Sequence, residues 1–383
     1  MFVIVKLTEI SGPPIPLSEI NATLVRSKTM NITSTFFRVA ILIAITLSVF
    51  SVGAATVLTY GEPGPNRGAR AQATKWFAQE VEKRSGGDLK INIMWGGALF
   101  KANASRQSIA TGVADIGTII PDYFPKEMVS YSLTNLPFEN RDPWVALKAN
   151  FDHMQSPDIS RSLAKQNLAF VTSYMLSSVI MVCKGDPVRS IDDLKGKKIR
   201  GVGTYGKIFG DLGANLVSMS IYKAYQGLGS GLLNCSQGYM NATIALKLHE
   251  AADSLTKLNW GVYTGLGIFI NKYSLMKLSQ PQRKVLNEVA GDFIDYLGQN
   301  VMKDDNHAEQ LLTQGIDGHN VEVITLSPSD SAKLFSASQS HITKWVNDAE
   351  KSGLDGKTML ENYKTFLTKY SQERDLKGYP WTR

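Results

Sequence analysis

Twice along this chain, short β-branched and apolar runs alternate with stretches of helical spacing, and that rhythm limits the fold more than any other feature. Residues 56–60 form an apolar run that ends at Gly61-Glu62-Pro63-Gly64-Pro65, as a strand entering a loop does. Ala69, Ala73, Trp76, Phe77 and Val81 then recur at helical spacing as far as Ser85-Gly86-Gly87, residues suited to left-handed backbone at a helix end. Over 89–95, Leu89, Ile91, Ile93 and Trp95 alternate with Lys90, Asn92 and Met94, which is strand spacing. Residues 105–113 read as a second helix and 114–120 as a buried strand. This succession predicts a parallel sheet with helices on both faces. Ligands of such sheets sit at the carboxyl ends of the strands, which singles out the loops beginning at Gly61, Trp95 and Pro121.

The rhythm starts again near residue 179. An apolar strand over 179–183 is followed by a second strand at 197–200 that runs into Gly201-Val202-Gly203. Helical spacing over 208–216 and 221–228 alternates with short strands at 217–220 and 232–235. Beyond Trp260, residues 267–271 read as a strand. Ser279 and Gln282 then have the spacing of a helix capping box, opening a helical pattern that lasts to about Thr313. At about 1.5 Å per residue such a helix approaches 50 Å, longer than a small domain is wide, so it is expected to cross two lobes. Two lobes also follow from the length of 383 residues, since single cores stop growing well before that size.

The N-terminal part has a different character. From Met30 a short start carrying Arg38 leads into an apolar run over 39–52 and then Gly53-Ala54-Ala55, the order of a signal peptide with small residues at the cleavage site. The run is shorter than the roughly 20 residues that span a bilayer. Setting the first 55 residues aside reduces the formal charge from +7 to +5. That mild positive balance, with no Lys/Arg block and no interleaved aromatics, argues against nucleic acid as a partner. Cys183 and Cys235 are the two cysteines of the chain. In an exported protein an even pair is a disulfide candidate, with two buried thiols as the alternative.

Several chemistries lack their signatures. His153, His249, His307, His319 and His341 are scattered, without the spacing of a zinc site. Gly201-Val202-Gly203 is not a dinucleotide fingerprint, and Gly227-Leu228-Gly229-Ser230-Gly231 lacks the lysine of a phosphate loop. The chain has no Gly-x-Ser-x-Gly elbow. Neither a metal nor a cofactor is expected.

Phe77-Ala78-Gln79-Glu80-Val81-Glu82 is followed by Gly86-Gly87 and then by Gly112-Val113-Ala114-Asp115. Further on come Leu194-Lys195-Gly196-Lys197-Lys198-Ile199-Arg200, Leu212-Gly213-Ala214-Asn215 and Tyr225-Gln226-Gly227-Leu228. In this order the first set resembles the amino-terminal lobe, and the second set the second lobe, of the solute-binding proteins of TRAP (tripartite ATP-independent periplasmic) transporters, of the dicarboxylate-receptor type. With the Phe269-Ile270-Asn271 strand and the long helix, the likeness covers nearly all of 56–360.

The resemblance implies an α/β, two-lobed periplasmic binding protein fold, with parallel-rich sheets flanked by helices and a long helix spanning both lobes. The expected organisation is a non-mature segment over 1–55, with the signal peptide at 30–55. A first lobe follows from 56–177 plus about 263–305, a second from 178–262 plus about 306–360, and a tail over 361–383. It also implies residence in the periplasm, a membrane permease as partner, and capture of a small organic carboxylate between the lobes.

Arg200 stands where the family grips the ligand carboxylate, and a guanidinium offers a planar fork of donors that matches a carboxylate. Tyr239, Trp260 and Tyr263 fall near family pocket positions, while Glu62, Trp95 and Tyr123 lie on the first-lobe loops named above. Each aromatic is open to a core reading as well. Glu62 reads either as a solvated loop carboxylate or as a partner for a ligand hydroxyl or amine. Two departures bear on the ligand. The strand Ser178-Val179-Ile180-Met181 lacks the second arginine of sugar-acid binders, and Asn234-Cys235-Ser236-Gln237-Gly238-Tyr239 replaces the common Asp-Gly-x-Glu. Both disfavour a heavily hydroxylated acid and suit a fairly apolar monocarboxylate or a short dicarboxylate. A periplasmic carboxylate sensor subunit, or a secreted enzyme on the same fold, is the alternative.

Overall fold

The computed structural model describes residues 54–175 and 177–383. The expected signal peptide, with its apolar run over 39–52, lies outside the described residues. In the first lobe β1 (Thr56–Gly61), α1 (Gly68–Arg84), β2 (Leu89–Met94), α2 (Ser105–Ala110) and β3 (Ile116–Ile119) alternate as the sequence predicts. Three helices follow, α3 (Val129–Ser132), α4 (Pro143–Met154) and α5 (Pro157–Ala164), and then β4 (Leu168–Tyr174). The second lobe runs through β5 (Ser177–Cys183), β6 (Lys198–Arg200), α6 (Gly203–Asp211), β7 (Asn215–Val217), α7 (Ala224–Gly229), β8 (Cys235–Tyr239), α8 (Met240–Ala245) and β9 (Ser254–Tyr263). The chain then returns to the first lobe as β10 (Leu266–Asn271) and the short α9 (Lys272–Lys277). It ends with α10 (Gln280–Gln314), β11 (Glu322–Thr325), α11 (Pro328–Lys351) and α12 (Gly356–Lys377).

The first sheet has the order β2-β1-β3-β10-β4 and the second β11-β9-β5-β8-β6-β7. The parallel sheet expected from the sequence is corrected to a mixed one in each lobe. β10 runs antiparallel to β3 and β4, and β5 antiparallel to β8 and β9. The physical reason is how these strands arrive. A parallel neighbour needs a crossover helix, whereas β5 and β10 enter directly from the other lobe, a few residues after β4 and β9 end. Those two passages are therefore crossings between lobes.

α10 makes a third crossing. Ser279 and Gln282 form the capping box anticipated from their spacing, and Leu286, Val289, Phe293, Ile294, Leu297 and Val301 enter the first-lobe core. Ala308 and Leu312, further along the same helix, enter a second-lobe core. Full burial of each such aliphatic or aromatic side chain is worth roughly 1.5–3 kcal/mol, so the helix is fixed at both ends. α1 packs on it through Phe77, whose ring meets Phe293 edge-on at 5.6 Å. No side chain of its own caps the start of α1. The Asp304 carboxylate of α10 instead accepts from the Ala69 backbone at 3.3 Å, supplying the missing acceptor.

Several boundaries differ from the sequence reading. The helix expected at 208–216 is α6, which begins at Gly203 and stops before Gly213, whose φ of +94° ends it. β7 and β8 shift accordingly to 215–217 and 235–239. Residues 361–383, expected as a tail, continue α12 and fold back on the first lobe. Tyr370 and Tyr379 each meet the buried Trp144 ring edge-on at 5.9 Å.

Candidate functional site

Arg200 closes β6, an inner strand of the second sheet. A Cβ on Gly201 would come within 2.6 Å of the Gly206 backbone, so only glycine lets α6 start this close to the strand. The Arg200 side chain is 1% exposed. Its Nε donates to the Met219 carbonyl at 3.2 Å, Nη1 to the Gln237 carbonyl at 3.1 Å and Nη2 to the Tyr123 hydroxyl at 3.3 Å. All three acceptors are neutral, and no Asp or Glu among the described residues makes an ion pair with it. Since a guanidinium carries five N–H donors, two are left over.

Tyr123 comes from the first lobe, on the loop after β3. Its hydroxyl oxygen also accepts from the Ile221 backbone N–H at 3.1 Å. One first-lobe oxygen thus meets two second-lobe donors, the coordination that a carboxylate oxygen asks for. Around it opens a cleft of about 820 Å³, lined by Pro63, Lys101, Asp122 and Tyr123 on one side and by Val202, Ser220 and Tyr222 on the other. A smaller cavity of about 40 Å³ also lies between the lobes, with Arg67, Arg70, Ile120, Met175, Ile221 and Leu266 among its walls.

The other expected residues fall into three groups. Tyr239 and Tyr263 stack at 5.1 Å beside the arginine. The Gln237 side chain donates to the Tyr239 hydroxyl at 3.0 Å and accepts from the Val202 N–H at 2.9 Å. Tyr263 donates to Asp122 at 2.6 Å. Burial raises the Asp122 carboxyl above the usual range, opposed by the Tyr263 hydrogen bond. Burial likewise raises the Tyr239 hydroxyl, with Arg200 opposing. Trp260 belongs to the same second-lobe core as both tyrosines. Its indole meets Tyr205 at 4.7 Å and Phe209 at 5.5 Å and donates to Ser338 of α11 at 3.2 Å. Trp95 is half-buried at the end of β2 with the Lys75 amine 6.0 Å from its ring centre, and its neighbour Gly96 lines the cleft in its place.

Glu62 forms the third group, and its solvated reading is corrected. At 1% exposure it accepts from the Gly64 N–H, from Arg70 Nη1 and from the Thr118 hydroxyl, each at 2.6 Å. The Arg70 guanidinium, unnoticed in the sequence, lies near the rings of Tyr174 at 5.9 Å and Tyr222 at 6.0 Å. Burial works against its charged form, but Glu62 holds its pKa well above the ordinary value. The only sequence hint was an arginine in the first helical turn after a binding loop. Cys183 and Cys235 face each other across β5 and β8 and are joined as a disulfide. No group of three or more His, Cys, Asp or Glu among the described residues is placed to hold a metal ion.

Two α/β lobes with three crossings and a deep cleft between them define a two-lobed solute receptor. The chain belongs to bacterial extracellular solute-binding protein family 7, whose profile matches residues 62–348, the receptor family of TRAP transporters. A solute-binding protein of Albidiferax ferrireducens is 25% identical over 291 residues, covering 74% of this chain and 80% of that protein. The 2,3-diketo-L-gulonate-binding periplasmic protein of Escherichia coli K12 is 26% identical over 283 residues, 73% of this chain and 84% of its own. A TRAP solute-binding protein of Rhodoferax ferrireducens T118, crystallised with copurified benzoate, has the same fold. Its TM-score is 0.73 at 20% identity, over 83% of this chain and 99% of that one.

Proposed function

We propose that this protein captures a small organic carboxylate between its lobes, with Arg200 as the anchor, and delivers it to the membrane permease of a TRAP transporter. It would do so in the periplasm, after removal of the leader that precedes residue 56. The observation that carries this reading is the buried Arg200 guanidinium held by neutral acceptors alone. A buried charge without a counter-charge is costly, and the proteins that keep one have a use for it. A carboxylate entering the cleft supplies the missing charge and pairs with a planar fork. Members of the family are solute receptors, and the reading extends to this chain the absence of chemistry on its guest.

Mass spectrometry of acid carried through purification, followed by calorimetric titration of that acid, tests the proposal. Arg200→Met should weaken binding by about 30-fold or more; binding at wild-type strength would overturn the reading. Nuclear magnetic resonance of the acid after long incubation should return it unaltered.

A further inference from the structure

We infer that the receptor selects acids carrying a single negative charge, and that Glu62 sets this preference by neutralising Arg70. The inference rests on the carboxylate reading above. Beside the cleft the structure buries two cations. Arg200 has no ionic partner, whereas Arg70 is paired with Glu62 at 2.6 Å. Both Glu62 oxygens are fully engaged, one by Arg70 and the Gly64 N–H and the other by Thr118, so the carboxylate is fixed in place to cancel that charge. Arg67, at the rim of the smaller cavity, and Lys101 and Lys223, on the cleft, are exposed, and water and salt screen them.

A guest anchored on Arg200 points its body toward the smaller cavity. Ile221 joins the two places: its N–H shares the Tyr123 hydroxyl with Arg200, and its residue walls the cavity that Arg70 also lines. There a second carboxylate would meet Ile120, Met175, Ala242 and Leu266, a guanidinium already neutralised, the Asp304 carboxyl and, at the solvent-exposed rim, Arg67. Losing water without gaining a counter-charge is unfavourable for an ion, while an apolar body gains from the same walls. Specificity here works by withholding a partner from the wrong guest.

Calorimetric titration at pH 7.5 with matched pairs tests this: straight-chain monoacids against diacids of the same length from four to eight carbons, and benzoate against terephthalate. The pair that contains the tightest binder decides. Wild type should bind the monoacid at least about tenfold tighter, since a tenfold ratio corresponds to one modest unmet interaction. Glu62→Gln frees the Arg70 charge while keeping the shape of the side chain, and should move the ratio toward the diacid by about tenfold or more. The double variant Glu62→Gln/Arg70→Gln, which buries no charge there, should restore the monoacid preference, and thermal unfolding confirms that each variant is folded. A wild type that binds the diacid as tightly as its monoacid, or a ratio unmoved by Glu62→Gln, would overturn the inference. Neither result touches the anchoring role, which fails only if Arg200→Met retains affinity for both acids.

Discussion

Each lobe buries one arginine beside the cleft, and the two are satisfied in opposite ways. Arg70 in the first lobe faces a carboxylate at 2.6 Å and two tyrosine rings. Arg200 in the second lobe is more deeply buried yet meets only two carbonyls and a hydroxyl. The first arrangement is complete in itself and belongs to the architecture. The second is stable enough to fold around but leaves the guanidinium without an ion pair, acting on the Asp122 carboxyl only at longer range. The difference teaches that burial alone does not mark a binding residue; burial without a counter-charge does.

The largest effect expected from this contrast is on stability. Arg70→Met leaves Glu62 buried with two hydrogen-bond donors and no cation, and breaking a buried pair from one side costs about 3–5 kcal/mol. Urea unfolding of the unliganded protein should show that loss. Arg200→Met removes a buried charge that has no ionic partner, so its unliganded stability should stay near wild type or rise. Equal destabilisation by the two variants would erase the distinction. In ligand binding the order reverses. Loss of the Arg200 pairing should weaken affinity by about 2–5 kcal/mol, the range for truncating one side of a buried charge pair.

Arg200 was legible through the resemblance, because Leu194-Lys195-Gly196-Lys197-Lys198-Ile199-Arg200 ends where the family grips its carboxylate; without it the residue reads as an arginine at a strand end. The loops after β1, β2 and β3 were legible from the pattern itself, as the carboxyl ends of strands. Glu62 was not, because its burial depends on Arg70, a partner reached only when α1 turns back over the loop. Nor could the aromatics be sorted. Tyr239, Tyr263 and Trp260 share one lobe and one core, and what separates them is the polar partner each reaches, Gln237, Asp122 and Ser338 in turn. The mixed sheets were hidden too, since a strand entering from another lobe has the same apolar pattern as one entering from a helix. The long helix needed no tertiary information: its capping box and its unbroken helical spacing are local properties.

The lobes should also part company in acid. His153 in α4 is buried in the first lobe, with its ring nitrogen 3.0 Å from the Ser130 carbonyl, and burial lowers its pKa from 6.5 to about 4. The unfolded chain therefore takes up the proton first as pH falls. The contribution of the neutral imidazole is complete above pH 6.5 and is lost progressively between there and about pH 4, amounting to roughly 3 kcal/mol. Neither buried guanidinium titrates in that window, so the loss that comes from His153 belongs to the first-lobe core and not to those two charges. Unfolding midpoints of His153→Gln measured from pH 7 to pH 4 should fall less than those of wild type. An identical decline would assign the acid sensitivity elsewhere.

The smallest effect concerns Tyr123, where the two lobes meet over the arginine. Its hydroxyl oxygen accepts from Arg200 and from the Ile221 N–H, so Tyr123→Phe leaves both second-lobe donors without this acceptor. The contact between the lobes should lose about 1 kcal/mol, the net value of an ordinary hydrogen bond. A carboxylate oxygen that takes the same two donors has to displace that hydroxyl. Removing it deletes a competitor, and affinity for the acid should rise about fivefold, the equivalent of the same 1 kcal/mol. A fall in affinity would mean that the hydroxyl stays in the complex and bonds to the guest directly, in which case the first lobe holds the ligand as well as covering it.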